Sequence, residues 1–200
     1  MNPKNMDALF GMMNSAFQEK EAQENKSVLD ALSDFKGYDQ MAVTRIGRSR
    51  THMDFGVEYD IPLNWDKIKD DEPNCVMYYA KGFDGKQGFM PAAFRMIRRR
   101  GDYRGYENVD RLERLALFAS KESGIYDLKY ITEVNIAGRK GVKAACIDHN
   151  NNGKVYDTDI YFFYKSKTEV LLVFCITAQE VRSYYKRVFN KILSSIRYIR

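Results

Sequence analysis

Two hundred residues, 44% hydrophobic and 30% charged, are enough for one domain with a substantial core and have an ordinary soluble composition. The net charge of +5 favours acidic partners but falls well short of the concentrated charge of a dedicated nucleic-acid binder. No run approaches the roughly 20 apolar residues of a membrane-spanning helix.

At the N-terminus, Met6, Leu9, Phe10, Met13 and Phe17 recur at helical steps of three and four, and Val28, Leu29, Leu32 and Phe35 resume them after a polar stretch. Residues 1–40 are therefore expected to form a helical extension, and residues 41–200 the domain proper. The methionine-rich stripe, with Met6, Phe10 and Met13 at its centre, suits an adaptable contact with a partner or a second copy of the chain. A helix docked on its own domain would show the same stripe. The segment has no basic stretch leading into a long apolar core and no cysteine placed for a lipid anchor, so a cytoplasmic protein is expected.

From about Met41 the period changes. In MDFGVEYDIPLNW, Phe55, Val57, Tyr59 and Ile61 alternate with smaller or polar residues, as in a half-buried strand, and Pro62 ends it. Asn74 to Tyr79 and Phe89 to Ile97 read as the next strands, joined by KGFDGKQG. That loop lacks the glycine spacing and the Ser or Thr after lysine that a phosphate loop requires, so it reads as a hairpin turn. A helix is expected over Val109 to Lys121, with Asn108 as N-cap, Asp110 in the first turn, Gly124 past its end, and Val109, Leu112, Leu115, Ala116 and Ala119 on one face. Four strands follow, Leu128 to Ile136, Val142 to Ile147, Val155 to Tyr164 and Val170 to Ile176, and their short connections imply antiparallel neighbours. Thr177-Ala-Gln-Glu180 has the spacing of a capping box, after which Val181, Tyr185, Val188, Ile192 and Ile196 form the stripe of a last helix.

The stretch Asp148 to Asp159, DHNNNGKVYDTD, places oxygen-bearing side chains at positions one, three, five and twelve and Gly153 at six, close to a calcium-binding loop. Such a loop normally joins two helices. Here it lies between VKAACI and IYFFYK, two strand patterns, with Asn152-Gly153 available for the turn, so a hairpin is expected.

Taken as a set, Ile61-Pro62 followed by Trp65, the turn at Gly138 in VNIAGRKGVKA, the inserted helix, and YFFYKSKTEVLLVFCITAQE running into VFNKILSSIRY resemble the PsbP-like family over roughly residues 50–200. That family includes the extrinsic P protein of photosystem II, a Ran-binding nuclear-import factor, and bacterial envelope lipoproteins and secretion chaperones. The resemblance implies an α+β fold, an antiparallel sheet with helices packed on its faces, used as a binding scaffold and bringing no catalytic residues. The absence of an export signal points away from the photosystem and lipoprotein branches.

For chemistry, the two histidines, His52 and His149, sit in no nucleophile motif, so an enzyme is not expected. Cys146 and His149 are three apart, which on a strand sends them to opposite faces and away from a shared zinc ion. Cys75, Cys146 and Cys175 form no CxxC motif and read as reduced thiols. No cofactor or metal is expected. The strongest polar feature is FRMIRRRGDYRGYEN, in which Arg98, Arg99, Arg100 and Arg104 lie beside Tyr103 and Tyr106, with Arg45, Arg48 and Arg50 in a second cluster. Guanidinium groups grip carboxylates or phosphates, and tyrosines can stack on bases. The expected function is a protein-interaction module, adaptor or chaperone-like, that binds an acidic protein partner through its sheet face, its N-terminal helix and this loop. A nucleic-acid-associated protein is the alternative, with a hydrolase or metalloprotein third.

Overall fold

The computed structural model describes residues 48–68, 74–80, 91–104, 108–122, 126–149 and 155–199, leaving aside the side chains of 118–122 and 126. The N-terminal extension with Met6, Phe10 and Met13, and Tyr106 of the arginine loop, lie outside these residues. In chain order the strands are β1 (Ser49–Asp54), β2 (Val57–Pro62), β3 (Trp65–Ile68), β4 (Cys75–Ala80), β5 (Ala92–Arg100), β6 (Tyr126–Ile136), β7 (Arg139–His149), β8 (Val155–Ser166), β9 (Glu169–Ala178) and β10 (Arg197–Tyr198). Helix α1 (Val109–Glu122) sits between β5 and β6, and α2 (Arg182–Ser195) follows β9 through a short 3-10 turn, Gln179–Val181.

Seven strands form one sheet in the order β3-β4-β5-β9-β8-β7-β6, all antiparallel, and β1-β2-β10 form a second, smaller one. Side chains alternate across a strand, so β8 and β9 feed two cores at once. On one face Ile160, Phe162, Tyr164, Val170, Leu172 and Phe174 share a cluster with Leu112 and Ala116 of α1. On the other, Tyr161, Phe163, Leu171, Val173 and Cys175 pack with Tyr185, Val188, Phe189 and Ile192 of α2 and with Val57, Tyr59 and Ile61 of the small sheet. This is the α+β architecture of an antiparallel sheet with a helix on either face. The aromatic run YFFY reads as almost wholly apolar because both of its faces are covered.

Helix α2 docks through Tyr185, Val188 and Ile192 of the expected stripe, all buried, while Val181 and Ile196 hold the chain just before and just after it. Trp65 sets its position. Its ring meets Tyr185 at 6.0 Å and Phe189 at 5.8 Å, both edge-to-face, the arrangement the aromatic quadrupole favours. On α1, Leu112 and Ala116 are buried and Val109 and Leu115 pack partly against the same core.

Two expectations change. MDFGVEYDIP is a hairpin and not one strand, because Phe55 and Gly56 both take left-handed backbone angles (φ 53° and 73°) and turn β1 back on β2 with Asp54 opposite Val57. The alternation of apolar residues continues across the turn and hides it. Ala137-Gly138 makes the same two-residue turn between β6 and β7, where the sequence did place one. The capping box also fails to form. Thr177 is still in β9, buried, and its hydroxyl donates to the Pro91 carbonyl (3.2 Å); the residue before the 3-10 turn is Ala178, with no side-chain cap.

The hairpin reading of DHNNNGKVYDTD holds in its strands. β7 pairs with β8 up to His149 opposite Val155, and residues 150–154 lie outside the described residues. Asp159, the twelfth position of the calcium pattern, is well inside β8 opposite Ala145 and forms an ion pair with Lys143 at 2.8 Å. Cys146 is buried and His149 exposed on the same strand, and no cluster of potential metal ligands occurs among the described residues.

A polar bolt joins the two sheets. The Tyr59 hydroxyl, fully buried on β2, donates to Asp54 at 2.6 Å and lies 3.4 Å from the Tyr78 hydroxyl of β4, while Lys67 of β3 reaches the same aspartate at 3.5 Å. Burial first, then these hydrogen bonds, push the Tyr59 phenol well above its ordinary pKa, so it stays a donor. Replacing Tyr59 by Phe removes a hydrogen bond to a charged acceptor and should destabilise the protein by about 1.5–3 kcal/mol. A denaturant melt of Tyr59→Phe beside the parent checks this, and an unchanged midpoint would show that the two sheets are held by apolar packing alone.

Candidate functional site

Three arginines in a row on a strand cannot form one patch. Along β5, Arg98 lies opposite Leu171 and Arg100 opposite Glu169, on the face toward the small sheet, whereas Arg99 lies opposite Val170, whose side chain belongs to the α1 core. The sequence cluster is thus divided between the two sides of one end of the sheet.

On the small-sheet side the organising group is Glu169. Its carboxylate accepts Lys165 at 2.7 Å and lies 3.4 Å from Arg100 and 3.7 Å from Arg98. The Lys165 hydrogen bond is the main reason its carboxyl is held below the ordinary range, with Arg100 and Arg98 adding to it. Arg98 is further fixed by the Asn74 side chain, to which it donates twice, and its guanidinium stands over the Phe55 ring at 5.0 Å. The left-handed turn missed in the sequence therefore carries part of the site. A Cβ at Gly56 would meet only the flexible end of the Lys165 side chain, at 2.8 Å, which can move aside, so the glycine is needed for its left-handed angle. Arg139 of β7 donates to the carbonyls of Tyr164 and Lys165 and lies 4.0 Å over Tyr198.

On the α1 side the loop after β5 is tied to the β8–β9 turn by Gly101 N–H to Thr168 O (3.0 Å) and Tyr103 N–H to Lys167 O (2.7 Å). Arg104 pairs with Asp102 at 2.7 Å, and Arg111 of α1 donates to the carbonyls of Asp102 and Arg104. Tyr103 rests edge-on against Tyr164 (5.8 Å) with Arg111 over its ring at 5.7 Å. The Arg100 and Arg104 side chains remain 69% and 86% exposed, so their pairing leaves them accessible to a partner.

These contacts join Arg98, Arg100, Arg104, Arg111, Arg139 and Lys165, with Lys167 entering through its backbone carbonyl, into one network whose carboxylates are Asp102 and Glu169. Sequence reading finds the β5 arginines and the loop; it misses Arg111, Arg139, Lys165 and Lys167, which only strand pairing and helix docking bring there. Arg48 and Arg50 lie on β1 or just before it and are not part of the network.

His52 on β1 is half-buried, and two of the three thiols are inside the core. The His52 ring lies 4.8 Å from Tyr78, and burial, then Lys67, lowers its pKa. Cys146 and Cys175 are buried thiols, the former pushed up to about 11 by burial, and Cys75 accepts from Arg95 Nε at 3.0 Å.

Because the Glu169 carboxyl is held below its ordinary 4.5, it adds stability that is present above that value and lost as pH falls through the lower, folded-state value. In Glu169→Gln this part of the acid limb should vanish. Denaturant melts of both proteins from neutral pH down through the carboxylate range measure it; parallel pH profiles would show that Glu169 gains nothing from its three cations.

Neither a known family model nor a curated protein sequence matches the chain. Solved structures do. The Ran-binding protein Mog1p of Saccharomyces cerevisiae aligns with 76% of this chain and 96% of its own, at a TM-score of 0.52 and 5% sequence identity. Cyanobacterial PsbP (CyanoP) of Synechocystis aligns with 77% of this chain and 95% of its own, at 0.49 and 13%. A protein of Bacteroides thetaiotaomicron aligns with 72% of this chain at 0.49 and 12%, and there the chain spans 46% of its relative's length. On the match to Mog1p and the sheet and helix order described above, the chain has the PsbP-like fold.

Proposed function

We propose that this chain is a non-catalytic protein-interaction module, an adaptor or chaperone of the cytoplasm, that binds an acidic protein surface through the cationic end of its seven-stranded sheet. The observation that carries the reading is the network around Glu169 and Asp102. Cations from β5, the loop after it, α1, β7 and the end of β8 gather there with fewer carboxylates than cations. Such a surface steers and holds a negatively charged partner. Mog1p, described as a Ran-binding protein, offers a precedent for a protein ligand on this fold. The three free thiols accord with a reducing compartment.

One observation favours a protein over a nucleic acid. Sequence-tolerant binding of single strands needs aromatic faces open to bases. Tyr103 has Arg111 over its ring and its body against Tyr164, so it serves the fold. The central strands of the sheet are covered on both faces, which directs the proposed contact to the sheet's end and away from its faces.

The test is an NMR titration with a glutamate-rich peptide, run beside a single-stranded oligonucleotide of equal charge. Peptide-induced shifts should cluster at residues 98–104, 139 and 165–169 and weaken as salt rises. Arg100→Glu should reduce affinity about tenfold, as for the loss of one charge-assisted contact. Glu169→Gln should bind more tightly while being less stable, a pairing of effects that simple unfolding cannot produce. Tight oligonucleotide binding at physiological salt, or peptide shifts elsewhere on the surface, would overturn the reading.

A further inference from the structure

A second feature lies away from the Glu169 network, along the rim where the small sheet meets the last turn of α2. A cleft of about 450 Å³ opens there, with Arg48, Pro62, Val188, Lys191, Ile192 and Arg197 among its lining residues. That volume falls within the range of small-molecule sites. The floor has an apolar part, Pro62 with the buried Val188 and Ile192, and three cations stand around it, Arg48 just before β1, Lys191 of α2 and Arg197 of β10.

The end of a helix repels anions through its free carbonyls, and here that repulsion is reduced. The Ser194 hydroxyl donates to the Lys191 carbonyl (2.9 Å) and the Ser195 hydroxyl to that of Ile192 (2.6 Å). Ser195 Oγ in turn accepts the Asp60 backbone N–H at 2.8 Å, which fixes the helix end to β2. The acidic group of the cleft is engaged too, since the Asp60 carboxylate accepts the Thr51 hydroxyl at 2.7 Å. Arg197 shares its charge with Glu58 at 3.0 Å and keeps a 61% exposed side chain. Arg48 and Lys191 have no ion-pair partner among the described residues.

The geometry points to a binding site for a small organic anion, a molecule whose carboxylate or phosphate group faces Arg48, Lys191 and Arg197 while its apolar body rests on Pro62, Val188 and Ile192. The site is independent of the cationic end of the large sheet. It joins β1, β2, α2 and β10, so occupancy would also brace the small sheet against the helix.

Two probes separate the sources of the anionic group: citrate for carboxylates and inorganic phosphate for phosphates, each compared with sodium chloride at matched ionic strength. With the full chain, at least one of them should give saturable NMR shifts at the amides of Ser49, Asp60 and Ser195. The double variant Arg48→Ala with Lys191→Ala should weaken that response about tenfold or more, the loss expected for charge-assisted contacts. A response to citrate alone assigns a carboxylate ligand, and to phosphate alone a phosphorylated one. Both substitutions are on the surface, and the variant's spectrum outside the cleft verifies its fold; Lys191→Glu serves as a second variant. Absence of saturable shifts with either probe at millimolar concentrations, or an unweakened response in both variants, overturns the assignment.

Discussion

Everything in this molecule depends on β8 and β9 being covered on both faces. An antiparallel sheet can leave one face in water; here Phe162 and Phe163, adjacent in sequence, are both fully buried on opposite sides. Two covers supply this burial, α1 packed over β6, β7 and β8 on one side and α2 with the small sheet on the other. The connections follow from that need. The chain leaves the sheet after β5 to lay down α1, returns for four consecutive hairpin strands, and leaves again after β9 to lay down α2.

With its central faces occupied, the sheet offers a partner its ends and edges. The end where β5, β8 and β9 meet gathers cations because three features coincide there: the register that sets Arg100 opposite Glu169, the end of β8 that brings Lys165 to the same carboxylate, and the docking of α1 that delivers Arg111. Glu169 holds the first group in place and neutralises only part of it. The left-handed Phe55, a conformation bulky residues rarely adopt, stands under Arg98. Backbone strain of this kind is retained where surrounding contacts fix it, and here those contacts belong to the site.

Much of the fold was legible in the sequence because its signals are periodic. The stripe of α2, the four late strands and the hairpin at residues 148–159 all rest on patterns several residues long. Two misreadings rest on single residues. Phe55-Gly56 lacks the Asn or Asp that usually announces a two-residue turn, and the apolar alternation continues through it. Thr177 and Glu180 have the spacing of a capping box, yet strand pairing claims Thr177 first, since its hydroxyl serves the Pro91 carbonyl. The candidate site was half legible for a related reason. The arginine run is visible as composition, but its division between two faces requires knowing that it lies on a strand, and its remaining cations come from segments up to about 70 residues away through pairings that no local pattern encodes.

The central claim is that the sheet's end, and not its covered faces, meets an acidic protein. Site-specific photo-crosslinking in the native host tests it most directly, with p-benzoylphenylalanine placed at Arg104 or Lys167 in the network and at the exposed Leu117 of α1 as a comparison. The account predicts that positions 104 and 167 capture the same acidic protein and that position 117 does not. Crosslinks formed at position 117 alone, or captured nucleic acid in place of protein at 104 and 167, would contradict it.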